Sequence, residues 1–188
     1  LCMIRNSQHI LTEYLVINCQ LGDADAFEQL LTIWYPKLLR YAQRQLGDAQ
    51  KAQDAVQVTL EVVCKTIGQL KDPAAFAKWV YQVLQGKSVD LIRSKQRQDK
   101  LNAEYTHFQQ TIDHVNNVGI EENSAFSNLL EGLPTEVYQL VHLHYLEGFN
   151  MQEISELLSV PAGTIKSRLH HARQLIRNNL STDPSRRN

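Results

Sequence analysis

Seven side chains between positions 166 and 177 form the densest set of groups in this sequence that could hold a polyanion: Lys166, Ser167, Arg168, His170, His171, Arg173 and Arg177. Cations of this kind bind phosphates, while hydroxyl and imidazole groups can address base edges. They follow the short turn Ser159-Val160-Pro161-Ala162-Gly163, itself preceded by a helical pattern that opens at Asn150. Helix, tight turn and cationic helix together make the layout of a helix-turn-helix, whose second helix lies in the major groove with flanking cations on the backbone. Nothing comparable supports catalysis. There is no nucleophile–base pair, Gly-rich phosphate loop or paired carboxylate, so no enzyme and no cofactor is expected. His142 and His144 sit two apart on different helix faces, and no metal site is expected from them.

The elements that must position this set are helical. The chain has 188 residues, 43% of them hydrophobic, with only eight glycines and five prolines. That composition fits one compact domain or two small ones, rich in helix. Net charge is −1, but the charge is segregated. Residues 1–77 hold seven basic and eight acidic side chains, and residues 78–100 hold six and two. Residues 101–162 hold nine acids and no Lys or Arg, and residues 163–188 return to six bases against Asp183. Two basic segments separated by an acidic one provide two contact points for a polyanion, or two solvated helix faces. No run approaches the ~20 apolar residues of a membrane span, and Leu1 to Ile10 has no apolar leader core. Cys2, Cys19 and Cys64 lack disulfide or metal spacing, which reads as reduced thiols in a cytoplasmic protein.

Along the chain, Asp23 caps a first helix carrying Phe27, Leu30, Leu31 and Trp34. Pro36 opens a second that stops at Gly47. Asp48 caps a third whose apolar positions run from Ala52 to Ile67, and Gly68 to Pro73 is a break. A long helix spans about Ala74 to Gln96, with Phe76, Trp79, Val80, Val83, Leu84 and Leu91 inward and Gly86 as a weak point. Residues 98–123 lose periodicity, and so long an irregular stretch reads as a domain boundary. Helices then cover about 135–147, 150–158 and 161–179, with Asn150 and Glu153 as a capping box. No strand is evident. The expected fold is all-α, with two small helical domains (1–97 and 125–188) joined by a flexible linker (98–124).

Two sets of motifs carry a family resemblance. Leu133-Pro134-Thr135-Glu136, Tyr145 to Glu156, and Val160-Pro161-Ala162-Gly163-Thr164-Ile165-Lys166-Ser167-Arg168-Leu169-His170-His171-Ala172-Arg173 resemble region 4 of bacterial sigma factors of the extracytoplasmic-function (ECF) type. Gly22 to Phe27, Tyr35-Pro36, Asp48-Ala49, Asp54-Ala55-Val56-Gln57, Phe76 to Tyr81 and Asp90-Leu91-Ile92-Arg93 resemble region 2 in order and spacing. The resemblance implies a protein that binds the RNA polymerase core and directs it to promoters. Asp48, Asp54, Gln57 and Glu61 would meet the clamp of the largest subunit, and region 4 would grip the flap of the second-largest. Lys166, Ser167, Arg168, His170, His171 and Arg173 would read the upstream (−35) element, with Ser167 and the histidines at base edges. Lys71, Phe76, Trp79, Lys87, Arg93, Lys95 and Arg97 would hold the downstream (−10) element as a single strand, a base being flipped beneath the loop Gly68–Phe76. Plain core packing is the other reading of Phe76 and Trp79. An anti-sigma factor is an implied partner.

Three places depart from the family pattern. The helix 48–67 is poor in acid, with Gln50, Lys51, Gln53 and Val58 where Asp or Glu is common. Gln85-Gly86 stands where an Asn usually follows Arg, and His171 stands where Arg often follows. Two alternatives to a sigma factor therefore stay open from sequence: a stand-alone helix-turn-helix regulator, and a sigma-like protein acting only through a protein partner.

Overall fold

The computed structural model describes residues 2–103, 130 and 133–182, with side chains described for 7–94, 130 and 133–177. The chain divides into two compact units, 1–117 and 118–188. Every regular element among the described residues is helical.

Unit 1 contains α1 (Cys2–Gln20), α2 (Ala24–Leu46), α3 (Ala49–Thr66) and α4 (Phe76–Ala103), with short 3-10 turns at Ile67–Gln69 and Pro73–Ala75 between the last two. The caps fall where the sequence places them. Asp23 accepts from the amides of Asp25 and Ala26, Asp48 accepts from the amide of Lys51, and Gly47 ends α2 at φ 63°. Leu15 and Val16 of α1, Leu30, Trp34, Leu38 and Tyr41 of α2, Val56 and Val63 of α3, and Phe76, Val80, Tyr81 and Leu84 of α4 fill the core. Its aromatic centre is a chain of edge-to-face contacts: Trp34–Phe76 at 5.2 Å, Trp34–Tyr81 at 6.2 Å and Tyr41–Tyr81 at 5.1 Å.

Three expectations for this unit need correction. Helix α1 has no counterpart in the sequence reading, because apolar residues surround it. Thr12, Leu15 and Val16 face the core while Ile10, Tyr14 and Ile17 face out, and no single stripe stands out. Pro36 does not begin a new helix but lies inside α2. Proline leaves the Thr32 carbonyl without its helical donor, but Thr32 is exposed, so water can serve it. Leu30 and Leu38, on either side of the proline, are buried in the same core, and this holds the two halves in line. Finally, α4 runs to Ala103, beyond the expected end at Gln96. Of the six residues expected inward on α4, Phe76, Val80 and Leu84 are buried, and Trp79, Val83 and Leu91 are half-buried. Residues 104–124 of the expected linker lie outside the described residues.

Unit 2 contains α5 (Thr135–Val141), a wider π turn (His142–Leu146), α6 (Met151–Leu158) and α7 (Ala162–Thr182). The expected helix 135–147 is thus present, but its last turn is wound wide, with the Glu147 amide reaching back to the His142 carbonyl at 3.1 Å. Inside that turn His142 Nε2 lies 3.7 Å from Glu147 Oε1, both side chains buried. Leu133, Val137, Tyr138, Val141 and Leu143 pack with Phe149, Ile154, Leu157, Ile165, Leu169 and Ala172 to make the core.

Candidate nucleic-acid interface

The geometry of the cationic helix begins with the start of α6. Asn150 Oδ1 accepts from the amides of Gln152 and Glu153 at 2.9 and 3.0 Å, and Glu153 Oε2 accepts from the Asn150 amide at 2.9 Å. This reciprocal box satisfies helix-end donors that would otherwise be orphaned. Helix α6 ends at Ser159, which takes the left-handed conformation at φ 54°. The amides of Thr164 and Ile165 then bond to the Pro161 carbonyl at 2.9 and 3.1 Å and launch α7. Ile165, Leu169 and Ala172 of α7 are buried, a spacing of four and three that turns the remaining positions outward.

Lys166, Ser167, His170, His171 and Arg173 are exposed, together with Gln174 and Arg177. The Ser167 hydroxyl donates to the Thr164 carbonyl at 3.0 Å, and His170 Nε2 lies 3.2 Å from the Gln174 amide nitrogen. Arg168, expected with Lys166 and Arg173 on or near phosphate, differs from both in its surroundings. Its guanidinium is half-buried and paired with Glu136 Oε2 at 2.9 Å. Sequence reasoning missed Glu136, since the pair joins residues on different helices and leaves no local pattern.

In unit 1, Asp54, Gln57 and Glu61 lie exposed on α3, with Val58 and Cys64 exposed between and beyond them. Asp54 accepts from Gln50 at 3.1 Å. Asp48 is set apart as the helix cap, with its carboxylate 3.3 Å from Lys51 Nζ. The Lys51 amide holds that carboxyl below its ordinary value, burial opposes the shift, and the Lys51 side chain adds to it. Cys19 and Cys64 are free thiols, and burial pushes Cys19 up, aided by Asp23.

The downstream set is divided by the fold. Lys71 is exposed between the two 3-10 turns, Trp79 and Lys87 are half-buried on α4, and Arg93 is exposed. Trp79, Gly86 and Arg93, seven apart, share one face of α4. Lys95 and Arg97 lie on the same helix, with side chains outside the described set. Phe76 does not join this surface: it is 1% exposed, wedged between Trp34 and Trp79. Its expected contact with a base is corrected to a core role. A second residue missed from sequence is Gln20, whose side-chain amide donates to the carbonyls of Ile67 and Leu70 at 3.0 and 2.8 Å and so ties the loop before α4 to α1. Among the described residues, no group of three or more His, Cys, Asp or Glu is placed to hold a metal, and no helix is long and apolar enough to cross a membrane.

A family model describing ECF sigma factors matches residues 11–182. The chain is 27% identical over 172 residues to the ECF RNA polymerase sigma factor SigW of Bacillus subtilis strain 168, covering 85% of this chain and 91% of that protein. It is 26% identical over 175 residues to the RNA polymerase sigma-H factor of Pseudomonas aeruginosa, covering 87% and 91%. In fold it is similar to the sigma factor RpoE of Bartonella quintana, solved with the anti-sigma factor NepR, at TM-score 0.59 and 22% identity over 84% of this chain and 98% of that one. It is also similar to CnrH, solved with the cytosolic domain of CnrY, at TM-score 0.55 and 19% identity over 92% and 99%. The chain belongs to the ECF sigma factor family. It binds RNA polymerase core and directs promoter-specific initiation, and the two alternative readings from sequence are set aside.

Proposed function

We propose that unit 2 reads the upstream element through α7 while unit 1 docks on the clamp and holds the opened downstream strand. In this reading the chain comprises a region 2 domain at 1–97, a linker at 98–124 and a region 4 domain at 125–188. The observation that carries it is the outward row on α7. Buried Ile165, Leu169 and Ala172 leave exposed Ser167, His170 and His171 for base edges, and exposed Lys166 and Arg173 for phosphates. Histidine lacks arginine's bidentate fork to guanine, so His171 weakens any demand for G at the pair it faces.

Asp54, Gln57 and Glu61 are the clamp contacts on α3, while Asp48 acts through the start of that helix. Trp79 supplies the stacking face for the single strand, and Lys71, Lys87, Arg93, Lys95 and Arg97 serve its backbone. The protein does no covalent chemistry of its own, works in the cytoplasm with the polymerase, and needs no cofactor. An anti-sigma factor is proposed as its regulator, supported by the similar RpoE of Bartonella quintana, solved with the anti-sigma factor NepR.

The test is transcription in vitro from a randomised promoter library, with purified core polymerase and this chain. Start sites sharing two spaced elements are expected. Transcripts with no common upstream element would remove the assignment of α7.

A further inference from the structure

Arg168 lies at the edge of the outward row of its own helix, about 60° around from His171. At about 100° per residue it lies about 160° around α7 from both Lys166 and His170, but only about 40° from Ala172, one turn further along. Ala172 packs with Val137, Tyr138 and Val141 of α5, and Leu175 and Ile176 of α7 pack against the same cluster. Arg168 therefore continues the α5-facing edge of α7 toward its N-terminus, where it meets Glu136 in the first turn of α5 at 2.9 Å.

In the first two turns of α7 the buried side chains are Ile165 and Leu169, and the pair with Glu136 adds a tie to α5 on their flank, beside Ser167 and His170. Two buried side chains still let a helix tilt about the line that joins them, and base readout fails for displacements far smaller than the spacing of one base pair.

We infer that Glu136 and Arg168 form a brace that fixes the pitch of the reading helix, which makes both of them positioning residues for upstream-element discrimination rather than DNA contacts. This rests on the assignment of α7 as the reader. A carboxylate that is 70% exposed beside the DNA face would repel phosphate if it stood alone. Paired with Arg168, it adds no net negative charge where the backbone approaches.

The test uses full chain and core polymerase on two templates: the upstream element selected from the randomised library, and the same promoter with that element scrambled. In Glu136→Gln the ratio of transcripts, selected over scrambled, should fall about two- to fivefold, the scale of an exposed ion pair. Arg168→Gln should lower it by the same factor, and the double variant should fall no further. The exchange E136R/R168E should restore most of the ratio. Helicity and thermal midpoint, read in parallel, separate loss of discrimination from loss of fold, and a purely structural pair would move only those.

A phosphate contact at Arg168 predicts otherwise. Arg168→Gln would then weaken both templates alike and flatten the salt slope by about 0.9, and the exchanged pair would be worse than either single variant. That pattern, or an unchanged ratio in Glu136→Gln, overturns the inference. A wild-type chain that selects no upstream element overturns the reader assignment itself, and is recognised because no substitution is needed to see it.

Discussion

The indole of Trp34 stands edge-on to the ring of Phe76, with centroids 5.2 Å apart and planes 74° from parallel. Phe76 in turn meets Trp79 at 5.8 Å, so three aromatic rings run from the core of unit 1 to the half-buried face of α4. The inner rings hold the outer one, and the two ends of the row should respond differently to truncation.

Phe76→Ala empties a fully enclosed site and should cost about 3–5 kcal/mol, read as an early urea transition of unit 1. Trp79→Ala should cost much less stability and act on strand opening. Transcripts from a duplex promoter should drop sharply, while those from a template with a pre-formed mismatch bubble at the downstream element should be largely preserved. Equal losses on both templates would move Trp79 out of the opening step.

What was legible in the sequence was whatever short-range chemistry writes. Asp23, Asp48 and Asn150 announced helix starts because each cap bonds amides two or three residues on. The α7 face was legible because its cations, serine and histidines cluster just after a tight turn. Features that depend on distant partners were not legible. Helix α1 carries apolar residues on opposite faces, Arg168 finds Glu136 across the unit, and Pro36 is tolerated because Leu30 and Leu38 share one core. Phe76 and Trp79 are three residues apart on one helix, and which of them is enclosed depends on residues distant in sequence, Trp34 among them.

Asp48 makes the stability of α3 depend on acid. Its carboxyl is held low chiefly by the Lys51 amide, so the stabilisation is complete above the ordinary carboxylate pKa of ~4 and is lost as pH falls through the lower folded value. The side chain is 40% exposed, so Asp48→Ala should cost only about 0.5–1 kcal/mol at neutral pH, the lower part of the range for caps. Asp48→Asn keeps a capping oxygen without the titration. Denaturant midpoints of the two proteins should lie close at neutral pH and diverge below about pH 4, with wild type falling faster. Parallel acid profiles would show that the carboxylate charge contributes nothing.

Ser159 joins α6 to α7 at φ 54°, a conformation that costs a residue with a side chain about 1–2 kcal/mol. Ser159→Gly removes that cost but adds entropy to the unfolded chain. The net gain should be about 0.5–1 kcal/mol in unit 2, visible as a higher thermal midpoint. Upstream preference should be unchanged, because the turn keeps its path.

Gly86 sits inside α4 on the face shared by Trp79 and Arg93, and an added Cβ would meet nothing within 4 Å. Gly86→Ala should therefore stabilise unit 1 by about 0.4–1 kcal/mol, through helix propensity and a less free unfolded chain. Alanine brings no hydrogen-bonding group, so the downstream preference read from the promoter library should stay as in wild type. Gly86→Asn adds an amide at the same open position, with a smaller gain in stability. It should sharpen the base preference at one or two downstream positions, because a donor–acceptor pair then faces the strand. Asparagine that raises stability without altering the selected sequences would show that this face of α4 does not touch the bases.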